Sequence, residues 1–213
     1  MKNIELVLVI GFSLALAATE NLQAYDVEVP TPGQHAYSSP PPPDPMEQVN
    51  AAIAHDPTDP VNFILRCNIY GQKKDWGDAK ENYEKALALD PQNSSAKVDL
   101  AEIQFRQKQY DQARASFVPL ESDKDFGDLA SYMIFLCDLF GKHEDAAAKE
   151  LAVFNAAGEK PSYYFGNIAW DVVHHNTAGA RDFMNSAEAI YQPLKADLYT
   201  INLVELGYLP LKQ

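Results

Sequence analysis

The side chains of this chain that could do chemistry are few and scattered. His174 and His175 form the one adjacent histidine pair in the sequence. Consecutive residues on a helix point about 100° apart, so the pair cannot both face one metal ion. They read instead as the end of a helix, where a cation suits the backbone dipole. Glu144 and Asp145 make an acidic pair that reads as a helix start for the same reason. The sequence contains no Gly-x-Ser-x-Gly nucleophile elbow, no Gly-rich phosphate loop and no His-Glu-x-x-His metal pair. No catalytic residue, metal ligand or cofactor site is therefore expected, and a binding role is favoured over an enzyme. Asn93-Ser94-Ser95 has the glycosylation-acceptor pattern, which would matter only in a eukaryotic secretory pathway.

Charge narrows the partners. The 213 residues carry 30 Asp and Glu against 17 Lys and Arg, a formal net charge of -13. Such a chain repels phosphate backbones and anionic lipid head groups, so nucleic acid and membrane surfaces are poor partners. The basic residues are dispersed, with Lys73-Lys74 the only adjacent pair. At the N-terminus, Lys2, the apolar run Leu6 to Ala17 and the small-x-small triplet Ala15-Leu16-Ala17 read as a cleaved signal peptide over 1–17. The run is shorter than the roughly 20 helical residues that span a bilayer, so no stable membrane insertion is expected. Residues 18–43, ending in Pro40-Pro41-Pro42-Pro43, read as a stiff, extended linker. An ordered domain is expected over 44–213.

The elements that position everything else come from a period. Trp76, Ala79 and Tyr83 answer to Tyr110, Ala113 and Phe117, and Pro57 to Pro91, each 34 residues on. A period of this length marks stacked helix pairs, each covering its neighbour's apolar face. Pro45 to His55 reads as the second helix of a unit lacking its first. Full units then begin near Pro60, Ser94, the segment before Gly141 and Pro161. In the third unit, Ala146 is taken as the small contact residue, 33 after Ala113, which puts Glu150 where an aromatic belongs. Ala180 and Ala187 mark the fourth, with Met184 in place of the aromatic. Leu194 to Leu206, ending at Gly207, is expected to cap the stack.

With Ala79, Tyr83, Ala86 and Pro91 in place, the chain resembles the tetratricopeptide repeat, strongly over 57–120 and more loosely out to about 210. The resemblance implies an all-α, right-handed helix–turn–helix solenoid of about four units, with an N-terminal half-repeat and a C-terminal capping helix. It also implies an interaction scaffold that holds a protein or peptide in a concave groove built from the first helix of each unit. Carried over residue by residue, the groove positions are Val61, Ile64 and Asn68, then Val98, Glu102, Phe105 and Arg106, then Ser131, Phe135, Asp138 and Leu139, then Phe165 and Ala169. Phe105 and Phe135 would anchor an extended segment or amphipathic helix whose basic rim meets Glu102 and Asp138. On this reading Phe105→Asp weakens binding and leaves the fold intact.

Two coverings of the groove remain open, by the Pro-rich arm or by the C-terminal helix. A basic clamp for a C-terminal carboxylate is disfavoured, since only Asn68 matches and Ile64 stands where a lysine is needed. The register places Cys67 and Cys137 on first helices a whole unit apart, beyond the roughly 7 Å between Cα atoms that a disulfide tolerates. They are expected to be small buried hydrophobes. The signal peptide implies a periplasmic or extracellular location. Self-association into a homodimer is the alternative function.

Overall fold

The computed structural model of the protein describes residues 44–210. The secondary structure is simple: ten α-helices and one 3-10 turn, with no strand among the described residues. A half-repeat, α1 (Pro45–His55), precedes four pairs. These are α2 (Pro60–Gln72) with α3 (Trp76–Leu89), and α4 (Ser94–Arg106) with α5 (Tyr110–Phe117) and its 3-10 extension Val118–Leu120. Next come α6 (Gly127–Phe140) with α7 (Glu144–Ala157), and α8 (Pro161–Val173) with α9 (Thr177–Ile190). A last helix, α10 (Pro193–Glu205), closes the chain. This is the expected helical solenoid, half-repeat and cap included.

Local sequence explains the starts and turns. Asp44, Asp59, Asp75, Asn93 and Asn176 each accept a backbone N–H from the first turn of the helix they precede. Pro45, Pro60, Pro161 and Pro193 occupy first helical positions, where no N–H is needed. Inside each pair the turn carries one residue in the left-handed region, namely Lys74, Lys108, Lys142 and His175. The intervals between them are 34, 34 and 33 residues. The third unit therefore keeps the full period, and the shortfall of one falls between units three and four.

That placement corrects the expected register. The small contact residue of unit three is Ala147, fully buried and 34 after Ala113, whereas Ala146 is only half-buried. In the corrected register the aromatic position falls on Leu151, which is buried, and not on Glu150, which is half-buried beside it. A one-residue slip on a helix turns every assignment by about 100°, with consequences for the inner face described below.

The core is built from the contact residues between helices. Ala79, Tyr83, Cys67, Phe63 and Ile64 form one cluster over units one and two. A larger one runs from Val98 and Phe105 through Ala113, Phe117, Phe135 and Phe154 to Phe165, Tyr199 and Leu203. Each fully buried large apolar side chain contributes about 1.5–3 kcal/mol of transfer free energy. Gly166 lets α8 close on α7, since a Cβ there would lie 2.9 Å from the Phe154 ring. Cys67 and Cys137 are free and buried, with burial pushing both thiols up. Asn93 serves as the cap of α4, its Oδ1 accepting from the Ala96 N–H at 3.0 Å, and Ser95 is buried, so the acceptor triplet is folded into a helix start.

Candidate interaction face

The first helices of units two to four, α4, α6 and α8, present one side to α10. Along α10 the contacts are ordered. Tyr199 stacks on Phe165 of α8 with ring centroids 5.0 Å apart and lies 5.1 Å from Tyr132 of α6. The Tyr132 hydroxyl donates to the Tyr199 carbonyl at 2.8 Å. The Tyr199 hydroxyl donates to Asp128 Oδ2 at 2.7 Å, and Asp128 also accepts from the Ser162 N–H and hydroxyl. One helical turn on, Asn202 Nδ2 donates to Met133 Sδ at 3.4 Å. At the far end Glu205 Oε2 accepts from Arg106 Nε on α4 at 2.9 Å, and beyond the helix Tyr208 packs on Phe140. A 13-residue helix is about 20 Å long, enough to cross three stacked helices about 8–10 Å apart. Ala196, Tyr199, Thr200, Asn202 and Leu203 are buried by this seat.

The electrostatics concentrate at the α4 end. Arg106 Nη1 donates to Glu102 Oε2 at 2.8 Å while its Nε meets Glu205, and its guanidinium lies 5.7 Å from the Trp76 ring centroid. Burial opposes the Arg106 charge, but Glu102 and then Glu205 outweigh it, so the guanidinium is held firmly protonated. Next to it Asp99 is buried, accepting from the Tyr83 hydroxyl at 3.1 Å. Burial, and after it the charge of Glu102, push the Asp99 carboxyl well above the usual carboxylate range. Asp99 Oδ1, Glu102 Oε1 and Asn202 Oδ1 are buried without a hydrogen-bond partner among the described residues.

The residues expected to line an open groove have a different fate. Ile64, Val98, Phe105, Phe135 and Asp138 are buried, Glu102 is buried against Arg106, and Asn68 and Arg106 are half-buried; none of the eight is exposed. Phe105 packs edge-on against Tyr110 and Phe140. Phe135 packs against Phe154 of its own pair, and Asp138 holds Arg114 of the preceding unit at 3.0 Å through both oxygens. Phe135 and Asp138 fall on the inner face only through the register slip; the residues of α6 that meet α10 are Asp128, Tyr132 and Met133, with Phe140 against Tyr208 just beyond it. Ser131 is half-buried and Leu139 buried, whereas Phe165 is buried under Tyr199 of α10 and Ala169 is buried in the same core. Val61 is the exception, at 44% exposure. Taking Ala147 as the contact residue would have found Tyr132; nothing local announces Asn202 or Glu205 as its partners.

The two histidines diverge, as expected of a helix end. His174 lies on Trp170, its Nε2 2.8 Å from Glu144 and its Nδ1 2.8 Å from the Trp170 carbonyl, and the Glu144 bond, then that carbonyl, raise its pKa. His175 is the left-handed turn residue. No cluster of three metal-ligating side chains occurs among the described residues, and no helix among them is long and apolar enough to cross a membrane.

Fold and face together define a helical-repeat solenoid with its last helix laid along its first helices. Residues 72–133 match the family model of the tetratricopeptide repeat, so this stretch is tetratricopeptide repeat in sequence as well as in shape. That repeat is in general a non-catalytic module for protein–protein interaction. No curated protein and no solved structure matches the chain.

Proposed function

We propose that this protein is an exported interaction scaffold that holds a protein segment on the inner face of units two to four. The observation that carries the reading is convergence. Side chains from three successive units, Arg106, Tyr132 with Met133, and Phe165, all meet one helical segment. Three repeats that present aromatic, apolar and charged groups to a single helix have the composition of a recognition surface: buried anchors with a charge at the margin. Export, to the periplasm or the extracellular space, is supported by Lys2, the apolar run and Ala15-Leu16-Ala17, which lie outside the described residues.

Comparing two full-length baits tests the scaffold reading. A Leu203→Asp chain, which expels α10 from its seat, is set beside the parent after both are shown by circular dichroism to be helical. Stronger capture of a partner by the Leu203→Asp chain is the expected result; equal capture by both would remove the inner face as the working surface. For export, the mature N-terminus isolated from its host is expected at residue 18. An intact chain retained in the cytoplasm would contradict it.

A further inference from the structure

The seat of α10 is well filled in shape and poorly satisfied in chemistry. Asn202 is 1% exposed, yet only its Nδ2 finds a partner, the soft sulfur of Met133, and its Oδ1 has none. Turning the amide over does not help, since one of its ends stays buried unpaired. A polar group buried without a partner costs far more than a well-made hydrogen bond contributes, and an apolar group of the same shape removes that cost. Three residues before Asn202, Tyr199 fits closely, and three after it, Glu205 completes the charge on Arg106. The joint between α9 and α10 is the two residues Tyr191 and Gln192, and α10 starts without a side-chain cap. The helix is thus anchored at its middle by Tyr199 and at its C-terminal end by Glu205, with a mismatch between them.

We propose that this face accepts, in exchange for α10, an amphipathic helix of a partner protein that carries an apolar side chain where α10 carries Asn202 and a carboxylate where it carries Glu205. The proposal rests on the inner face being the working surface. α10 is then the chain's own stand-in for that partner. Tethering gives it an effective concentration in the millimolar range for a short flexible joint, which keeps weak or poorly matched helices out. Removing the Asn202 mismatch gives the incoming helix its margin. Arg106 meets Glu102 through Nη1 and Glu205 through Nε, so a carboxylate at the Glu205 position of the visitor remakes the second of these pairs.

Three labelled peptides spanning residues 190–207 test this against the full-length chain by fluorescence anisotropy: the parent sequence, an Asn202→Leu version and an Asn202→Leu, Glu205→Gln version. The Asn202→Leu peptide is expected to bind about tenfold or more tightly than the parent peptide, the ratio expected from relieving one unsatisfied buried group. Adding Glu205→Gln is expected to weaken it again by about tenfold. Binding must also raise amide exchange in residues 193–205, because α10 has to leave. Peptides that bind without raising that exchange, or bind equally well, overturn the proposal. So does failure of all three to bind both the parent chain and a Leu203→Asp chain that keeps its helical signal. A chain that captures partners but admits no peptide overturns this inference and leaves the scaffold reading standing; one that admits the peptides but captures nothing overturns the scaffold reading and, with it, the partner helix inferred here.

Discussion

The inner face of unit one and that of units two to four use the same repeat positions with opposite outcomes. At one repeat position of the first helices, Val61 is 44% exposed, while Ser95, Leu129 and Ser162 are 6%, 3% and 3% exposed. Three positions on, Ile64, Val98, Tyr132 and Phe165 are buried throughout. Leu65, at 39% exposure, extends the open stripe of α2 beside Val61. Repeat position fixes the direction in which a side chain points; what lies over it differs, since Ser95 sits beside the 123–126 turn and Ser162 is hydrogen-bonded to Asp128, while α10 lies over Tyr132 and Phe165 and ends at Arg106 of α4. An inner-face residue in such a solenoid is therefore a binding candidate only after the terminal helix has been placed.

The largest test of that contrast sets Phe105→Asp against Leu65→Asp. Phe105→Asp buries a charge and removes a core ring, so a loss of more than about 4 kcal/mol, or no folded protein, is expected. Leu65→Asp is expected to stay within about 0.5 kcal/mol, as a surface change does. Urea denaturation followed by circular dichroism measures both, and equal losses would erase the distinction between the two stretches. Next in size is Leu203→Ala, which hollows the α10 seat; a loss of about 2–5 kcal/mol is expected if α10 unfolds with the rest, and a smaller, early transition if it leaves first.

A smaller effect sharpens the boundary between the two stretches, where Asp99 of α4 meets Tyr83 of unit one. The folded-state pKa of Asp99 is raised, so its contribution to stability is full below the unfolded value and is lost as pH rises through the folded one. Asp99→Asn keeps the neutral form at every pH. The melting temperature of the variant relative to the parent should accordingly climb between pH 4 and pH 8, and a difference independent of pH would contradict the assignment. Smallest is Lys108→Gly, at a turn residue with φ of 61°. Relief of the left-handed strain, partly offset by glycine's chain entropy, should stabilise by about 0.5–1 kcal/mol, read as a shift in the urea midpoint.

Most of the architecture was legible in the sequence because repeat contacts are local. Ala79 and Ala113, Tyr83 and Phe117, and the capping Asp and Pro residues lie within one period of the residues they serve, so spacing alone locates the helices. Unit three failed by one residue because Ala146, Ala147 and Ala148 are consecutive and any of them satisfies the small-residue rule. Choosing Ala146 rotated α6 and brought Phe135 and Asp138 to the wrong face. The α10 contacts were illegible for another reason. Tyr132 and Tyr199 are 67 residues apart, Arg106 and Glu205 99 apart, and no periodicity links an aromatic or a charge to a partner at such a distance. The sequence allows the Pro-rich arm or the C-terminal helix to cover the groove, and nothing in its spacing chooses between them.

The central claim is that α10 covers the inner face as a separable element. Native-state hydrogen exchange read by mass spectrometry, peptide by peptide across the full-length chain, tests it most directly. Residues 193–205 are predicted to exchange through a local opening while α6 and α8 remain protected. Exchange of α10 only together with α6 and α8, at the rate of global unfolding, would show it to be an inseparable part of the core and would contradict the account.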